Sequence, residues 1–103
     1  MTVKDFENEI ARGGPPPGSL APLLRALWLE RQGDWDAAHR IAQDVSGTDA
    51  ARVHAYLHRK EGDSANARYW YHQAGDIKQP DSLEAEWRLL AKHLLLTSKA
   101  GAE

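Results

Sequence analysis

Apolar side chains recur every three or four residues in six stretches of this chain, which is the spacing of helices that bury one face. No stretch of useful length alternates apolar and polar residues, so the pattern predicts an all-α fold without strands. The predicted elements are an N-terminal helix over 1–12, a Gly/Pro linker over 13–18, hairpin 1 over 19–47, hairpin 2 over 48–75 and a long C-terminal capping helix over 81–98.

Glycine and aspartate mark the predicted turn of each hairpin. Gly33 precedes Asp34, and Gly62 precedes Asp63, so in both places a helix-ending glycine is followed by an N-cap residue for the next helix. The remaining predicted N-caps are Ser19, Thr48 and Asp81, the last in a capping box with Glu84. These signals predict two helix pairs with short connections.

Each of the four tryptophans falls on an inferred inward stripe of its helix. Their large side chains compensate for the small core that 103 residues allow, so all four are predicted to be largely buried. They are Trp28, Trp35, Trp70 and Trp87.

The two predicted turns begin similar segments. Gly33-Asp34-Trp35-Asp36-Ala37-Ala38 aligns with Gly62-Asp63-Ser64-Ala65-Asn66-Ala67, and each continues with apolar residues at matching steps. This pattern resembles the second-helix half of the tetratricopeptide repeat. The stretch over 66–75, Asn-Ala-Arg-Tyr-Trp-Tyr-His-Gln-Ala-Gly, also resembles the related Sel1-like repeat.

The resemblance implies antiparallel hairpins stacked as a short right-handed superhelix that binds a protein or peptide. The two turn glycines are 29 residues apart, against a tetratricopeptide period of about 34, so it implies individual hairpins rather than a regular array. Residues 54–75 also resemble a stretch of small bacterial proteins, from which no activity can be inferred.

Charge and composition exclude several classes of protein. The 13 basic and 15 acidic residues give a formal net charge of −2, without the basic excess of a nucleic-acid-binding protein. There is no cysteine, which excludes disulfides and thiolate metal sites. The acidic N-terminus lacks the apolar region of a signal peptide, and no segment has the composition of a membrane span. We therefore expect a cytoplasmic protein with no nucleic-acid or membrane partner and no cofactor.

One face of the first helix of hairpin 2 carries cations and an aromatic side chain. In tetratricopeptide-like hairpins the first helix lines the concave groove, where such residues bind peptide carboxylates. This basic face predicts a non-catalytic interaction module for an acidic peptide or a partner's C-terminus. Its residues are Arg52, Tyr56, Arg59 and Lys60.

The opposite face supports an alternative hypothesis, a ligand-binding or metal-binding protein, conceivably catalytic. His54 and His58 are four residues apart, so their imidazoles lie one helical turn apart, and Glu61 follows on the same face. Ala55 occupies the position at which a His-Glu-x-x-His site has its catalytic glutamate. The polar cluster predicted on this face is His54, His58, Glu61, Asn66 and Tyr71.

A metal would require a third protein ligand beside these two histidines. The candidates in the sequence are Glu61, Asp63, His39 and His72. We expect none of them to approach the pair. The sequence thus favours structural histidines, with His54 hydrogen-bonded to a neighbour such as Asn66, and no metal.

Three leucines of the last helix lie outside its core stripe. They predict a patch for self-association as a homodimer, or else contacts with the N-terminal helix that carries Phe6 and Ile10. They are Leu89, Leu95 and Leu96.

Overall fold

In the computed structural model, which describes the backbone of residues 1–101 and the side chains of residues 1–98, the chain consists of α-helices joined by loops. No strand occurs in this part of the chain, so the all-α prediction is confirmed. The six helices are α1 (Val3–Ala11), α2 (Pro22–Arg31), α3 (Trp35–Asp44), α4 (Thr48–Glu61), α5 (Ser64–Gln73) and α6 (Leu83–Gly101).

The two short turns between paired helices have the same construction. Gly33 and Gly62 both adopt left-handed backbone angles, with φ of +92° and +88°. The aspartate after each glycine accepts a hydrogen bond from a backbone N–H of the next helix, at 3.1 Å for Asp34 and 3.2 Å for Asp63. These angles and hydrogen bonds confirm the predicted helix ends and N-caps at both turns. The sequence predicts them because such signals depend on neighbouring residues alone.

Three other predicted N-caps are wrong. α2 begins at Pro22 rather than after Ser19, because proline suits the first helical position and holds Ala21 extended, with ψ of 146°. Thr48 is the first residue of α4, and Gly47 precedes it without a side-chain cap. α6 begins after Ser82, whose Oγ accepts a hydrogen bond from the N–H of Ala85 at 3.0 Å, and Asp81 lies outside the helix.

The helices enclose one hydrophobic core. α2 packs against α3 and α4 against α5, while α3, α2 and α6 all contact α4, and α1 covers α6. Phe6 lies between Trp28 and Trp87, stacked on Trp87 with ring centroids 5.8 Å apart. The fully buried side chains of largest volume are Trp87, Phe6, Leu24, Leu27, Leu57, Leu90 and Val53.

The burial of the tryptophans follows the position of their helices. Trp28 and Trp87 are buried, as predicted, whereas Trp35 and Trp70 are only half-buried. α5 packs mainly against α4, so one side of Trp70 lacks a covering helix. None of the four is mainly exposed, so the prediction that all four are largely buried is confirmed, and the two half-buried tryptophans contribute to the site described below.

The three leucines of the predicted patch on α6 differ in their exposure to solvent. Leu95 is half-buried against the core, while Leu89 and Leu96 are 42% and 61% exposed. Self-association through them stays a prediction. Within the described residues, no helix combines the length and the apolar composition needed to cross a membrane.

Candidate functional site

The basic face of α4 does not form an open groove. Tyr56 is buried, and its hydroxyl donates a hydrogen bond to Glu30 Oε1 at 2.8 Å. Lys60 forms an ion pair with the same buried carboxylate. Burial raises the pKa of Tyr56, and the adjacent Glu30 raises it further, so the phenol remains a neutral donor. The expectation that Tyr56 faces a groove is wrong, because a carboxylate from α2 draws it into the core.

Arg59 is likewise bound within the protein. Its guanidinium donates to Glu86 Oε1 at 2.8 Å and to the carbonyls of Pro80 at 2.9 Å and Asp81 at 2.6 Å. Glu86 is 4% exposed and also accepts hydrogen bonds from the hydroxyl of Tyr71. Tyr71 is thus assigned to this network and not to the polar cluster.

The fourth residue of the basic face, Arg52, is half-buried. With Tyr56 in the core and Arg59 and Lys60 bound to buried carboxylates, the four side chains do not present a common binding surface.

Three histidines converge where α3 crosses α4. α4 places His54 and His58 one turn apart, with ring centroids 5.0 Å apart and planes inclined by 21°. α3 brings His39 edge-on to both, at centroid distances of 4.6 and 5.2 Å. The Nε2 atoms of His39 and His54 are 2.9 Å apart, and one ligand nitrogen from each ring lies within 4.8 Å of the other two. The expectation that no third ligand approaches the pair is wrong, and these residues are called the histidine cluster below.

Two tryptophans hold the histidine cluster in place. Trp35 stacks on His39 with centroids 4.7 Å apart, and Trp70 stacks on His54 at 4.0 Å. Trp35 also donates a hydrogen bond from Nε1 to the carbonyl of Leu57 at 2.7 Å, which fixes α3 against α4. The two indoles therefore restrict the orientations of the imidazole rings from both sides.

Glu61 orients the third histidine. Its Oε2 lies 2.7 Å from Nδ1 of His58. Glu61 itself is exposed, because it lies in the last turn of α4 beside the Gly62 corner. With Nδ1 bound to the carboxylate, Nε2 is the nitrogen of His58 that remains for another partner.

The other predicted members of the site have different roles. Asn66 donates to Asp63 Oδ2 at 2.9 Å and does not reach His54, whose partner is His39. Asp63 caps α5, and its carboxylate lies within 4.8 Å of the ligand atoms of His58 and Glu61. His72 is exposed on α5 and pairs with Asp76 at 3.1 Å, away from the histidine cluster.

The electrostatics of the site favour neutral imidazoles at His54 and His39. The pKa of His54 is lowered to about 4, first by burial and then by the neighbouring His39 and His58. The pKa of His39 is also lowered, first by burial and then by His58. At neutral pH these two rings are uncharged, and each has one nitrogen lone pair available to a hydrogen-bond donor or a metal.

For His39, one of the candidate third ligands, the sequence contains a further signal in its spacing from Trp35. His39 follows Trp35 by four residues, so the two side chains share one face of α3. No sequence pattern marks Glu30 and Glu86 as partners of the basic face, because each is a single acidic residue on an otherwise apolar stripe.

No protein-family model, curated protein or solved structure matches this chain. The functional assignment therefore rests on the geometry of the histidine cluster and of the side chains around it.

Proposed function

We propose that this protein binds one divalent transition-metal ion through His39, His54 and His58. The observation that supports the proposal is the convergence of three imidazoles from two different helices, with their ligand nitrogens within 4.8 Å of one another. Three histidines form the protein ligand set of one well-known kind of zinc site, with a fourth position for water or another ligand. Imidazole ligands favour zinc, copper, nickel or cobalt over magnesium and calcium.

The distance between His39 and His54 is close to that between two ligands of such a site. Zinc–nitrogen bonds of about 2.0–2.1 Å in a tetrahedron place two ligand nitrogens about 3.3 Å apart. The Nε2 atoms of His39 and His54 are 2.9 Å apart, which is a hydrogen-bond distance. Replacing this hydrogen bond with a metal requires the rings to separate by a few tenths of an ångström, and the ring that donates from Nε2 must carry its proton on Nδ1 instead.

Metal-binding histidines commonly donate their other ring N–H to a carboxylate, and His58 has this contact with Glu61. A carboxylate that accepts a hydrogen bond from Nδ1 fixes the tautomer and makes Nε2 a better ligand. Glu61 Oε2 is 2.7 Å from that nitrogen. Glu61 is therefore a positioning residue for the metal.

A metal at this position would connect the two hairpins. His39 belongs to α3 in hairpin 1, while His54 and His58 belong to α4 in hairpin 2. A ligand that binds only the folded state stabilises it by about 2.7 kcal/mol at a hundred times its dissociation constant. For a domain of this size, that corresponds to roughly a 10–20 °C rise in melting temperature.

Metal content and thermal stability test the proposal directly. We expect the purified protein to bind one zinc or cobalt ion per chain by elemental analysis, and its melting temperature to fall after treatment with EDTA. Cobalt should give the intense visible absorption bands of a four-coordinate site. A protein that takes up no metal at micromolar zinc and melts at the same temperature with EDTA would contradict the proposal.

Matched variants locate the site. His39→Ala and His58→Gln should abolish stoichiometric binding, and Glu61→Gln should weaken it by about 10- to 100-fold. His72→Ala is the control, because His72 is an exposed histidine outside the histidine cluster. Equal loss of binding in the His72 variant would show that the metal binds surface histidines. Circular dichroism of each variant checks that the fold is retained.

We also infer that the hairpins are tetratricopeptide-like and stack as a short right-handed superhelix. Their matching turns support this inference. The N–H of Asp34 donates to the carbonyl of Leu29, and the N–H of Asp63 to that of His58, both at 2.9 Å. A crystal structure that gave a left-handed rotation between hairpins would contradict it.

A further inference from the structure

A cavity of about 670 Å³ adjoins the histidine cluster and shares only His54 with it. It is bounded by the end of α3, the first half of α4 and the second half of α5. Its volume is in the range of about 300–1,000 Å³ that is usual for small-molecule sites. The lining residues are Ala42, Gln43, Val45, Ser46, Gly47, Thr48, Ala50, Ala51, His54, Trp70 and Gln73.

Small side chains keep this cavity open. Ala42, Ala50 and Ala51 are buried in its floor, and the backbone over 45–48 forms one wall. A leucine at any of these alanine positions would occupy part of the space. Because these alanines are small, α3 and α5 lie on either side of the first half of α4 and leave the cavity between α3 and α5.

The lining restricts the chemistry of a ligand. It contains no aspartate, glutamate, lysine or arginine. A charged ligand that entered the cavity would lose its hydration without gaining a charged partner from the protein, and this loss costs free energy. The lining fits an uncharged molecule.

The polar and aromatic groups of the lining restrict the chemistry of the ligand further. Trp70 is a half-buried aromatic wall, and indoles bind planar rings through stacking. Gln43 on α3 and Gln73 on α5 place one exposed amide on each side of the cavity. A side-chain amide offers both a donor and an acceptor, which matches the edges of a nitrogen heterocycle.

We propose that this cavity binds a planar, uncharged nitrogen heterocycle with amide-type edges, the chemical class of free nucleobases and nucleosides. The proposal goes beyond metal binding, because of the three histidines only His54 lines the cavity. A phosphorylated ligand is disfavoured, because the lining provides no cationic side chain for a phosphate group.

Isothermal titration with adenine, uracil, adenosine and adenosine 5′-monophosphate tests the proposal. We expect at least one base or nucleoside to bind with one-to-one stoichiometry, and the nucleoside to bind no more weakly than its monophosphate. Binding should persist in EDTA, so failure of the metal proposal would leave this result unchanged. Absence of binding by all bases and nucleosides would overturn the proposal, as would a monophosphate that binds more tightly.

Two pairs of variants assign the binding to this cavity. Ala51→Leu fills the floor and should weaken binding at least 10-fold, whereas Ala65→Leu, at an exposed position of α5 outside the cavity, should not. If Ala51→Leu does not fold, Gln73→Ala gives the same test at an exposed position, with Gln79→Ala as its control. Unchanged binding in Gln73→Ala and in a folded Ala51→Leu would overturn the assignment.

Discussion

His39 and His54 meet nitrogen to nitrogen, with their Nε2 atoms 2.9 Å apart although 15 residues separate them along the chain. In a hydrogen bond between neutral imidazoles, one Nε2 carries the hydrogen and the other provides a lone pair. The contact joins α3 to α4 in a partly buried region enclosed by two indoles. A proton or a metal ion that binds there therefore acts on the packing of α3 against α4.

The first prediction concerns the strength of that contact without metal. A double-mutant cycle of His39→Ala and His54→Ala, measured by urea denaturation in EDTA, should give a coupling energy of about 0.5–1.5 kcal/mol, typical of a partly buried hydrogen bond. The control is a cycle of His39→Ala with His93→Ala, because His93 contacts Asp49 at a separate location on α6. Additive effects of His39 and His54 would show that the short distance contributes nothing to stability.

The second prediction is that the metal-free protein loses stability between pH 6.5 and pH 4. The pKa of His54 is about 4 in the folded protein, against about 6.5 for an unperturbed histidine. In that interval the unfolded chain binds a proton that the folded protein does not, so the free energy of unfolding falls as pH falls. The stabilisation that neutral His54 provides is complete above the pKa of this residue in the unfolded chain. It is lost progressively as pH falls to the pKa of His54 in the folded protein.

Screening by solvent and nearby groups limits the size of this effect to the order of 1–2 kcal/mol. The titratable groups that face His54 are His39 from α3 and His58 from α4, with Glu61 beyond His58, while α5 contributes the uncharged Trp70. Urea denaturation in EDTA at pH 7 and pH 5 measures the difference. His54→Gln should reduce it, and an unchanged difference in that variant would assign the pH dependence to other groups.

The third prediction concerns the turn of hairpin 2. Gly62 has φ of +88°, and a Cβ built there meets no atom within 4 Å, so only backbone strain opposes a side chain. Gly62→Ala should therefore cost about 1 kcal/mol of unfolding free energy. Gly18→Ala is the matched control, because that position is equally open and has no left-handed angle. Equal effects of the two substitutions would contradict the role of the left-handed angle.

The fourth prediction compares two tryptophans. Trp87 is 0% exposed, stacks on Phe6 and donates Nε1–H to the carbonyl of Leu27 at 3.2 Å. Trp87→Ala should cost roughly 3–5 kcal/mol, whereas Trp70→Ala should cost clearly less, because Trp70 is only half-buried. Chemical denaturation of both variants tests this order. A larger loss for Trp70→Ala would mean that its stacking on His54 is a main stabilising contact.

Local signals explain which parts of the fold could be predicted. The corners at Gly33 and Gly62 depend on a glycine and the aspartate after it, so they could be predicted from adjacent residues. The cap at Ser19 was mispredicted because Pro22, three residues later, suits the first turn better and moves the helix start. The all-α class followed from periodicity alone.

The site depended on contacts that periodicity does not specify. Tyr56 was placed on an open face because its partner, Glu30, lies 26 residues away on α2. The position of His39 was equally non-local, since it depends on how closely α3 packs against α4. Helical spacing correctly placed His54 and His58 on one face, but it could not show that a third imidazole from another helix meets them.

The last prediction tests whether the basic face of α4 is structural. Arg59→Ala would leave Glu86, whose side chain is 5% exposed, without its cation. Removing one partner of a fully buried ion pair costs about 3–5 kcal/mol, and we expect about 2–3 here because Arg59 is 24% exposed and Tyr71 still donates to the carboxylate. Urea denaturation measures the loss.

Arg68→Ala is the control for this substitution, because Arg68 is exposed and its removal should change stability by less than about 0.5 kcal/mol. Adding Glu86→Gln to Arg59→Ala should recover part of the lost stability, because the buried charge is then absent. If Arg59→Ala and Arg68→Ala proved equally mild, Glu86 would not need its cation. Arg59 would then be available to an acidic peptide, and the interaction hypothesis would regain support.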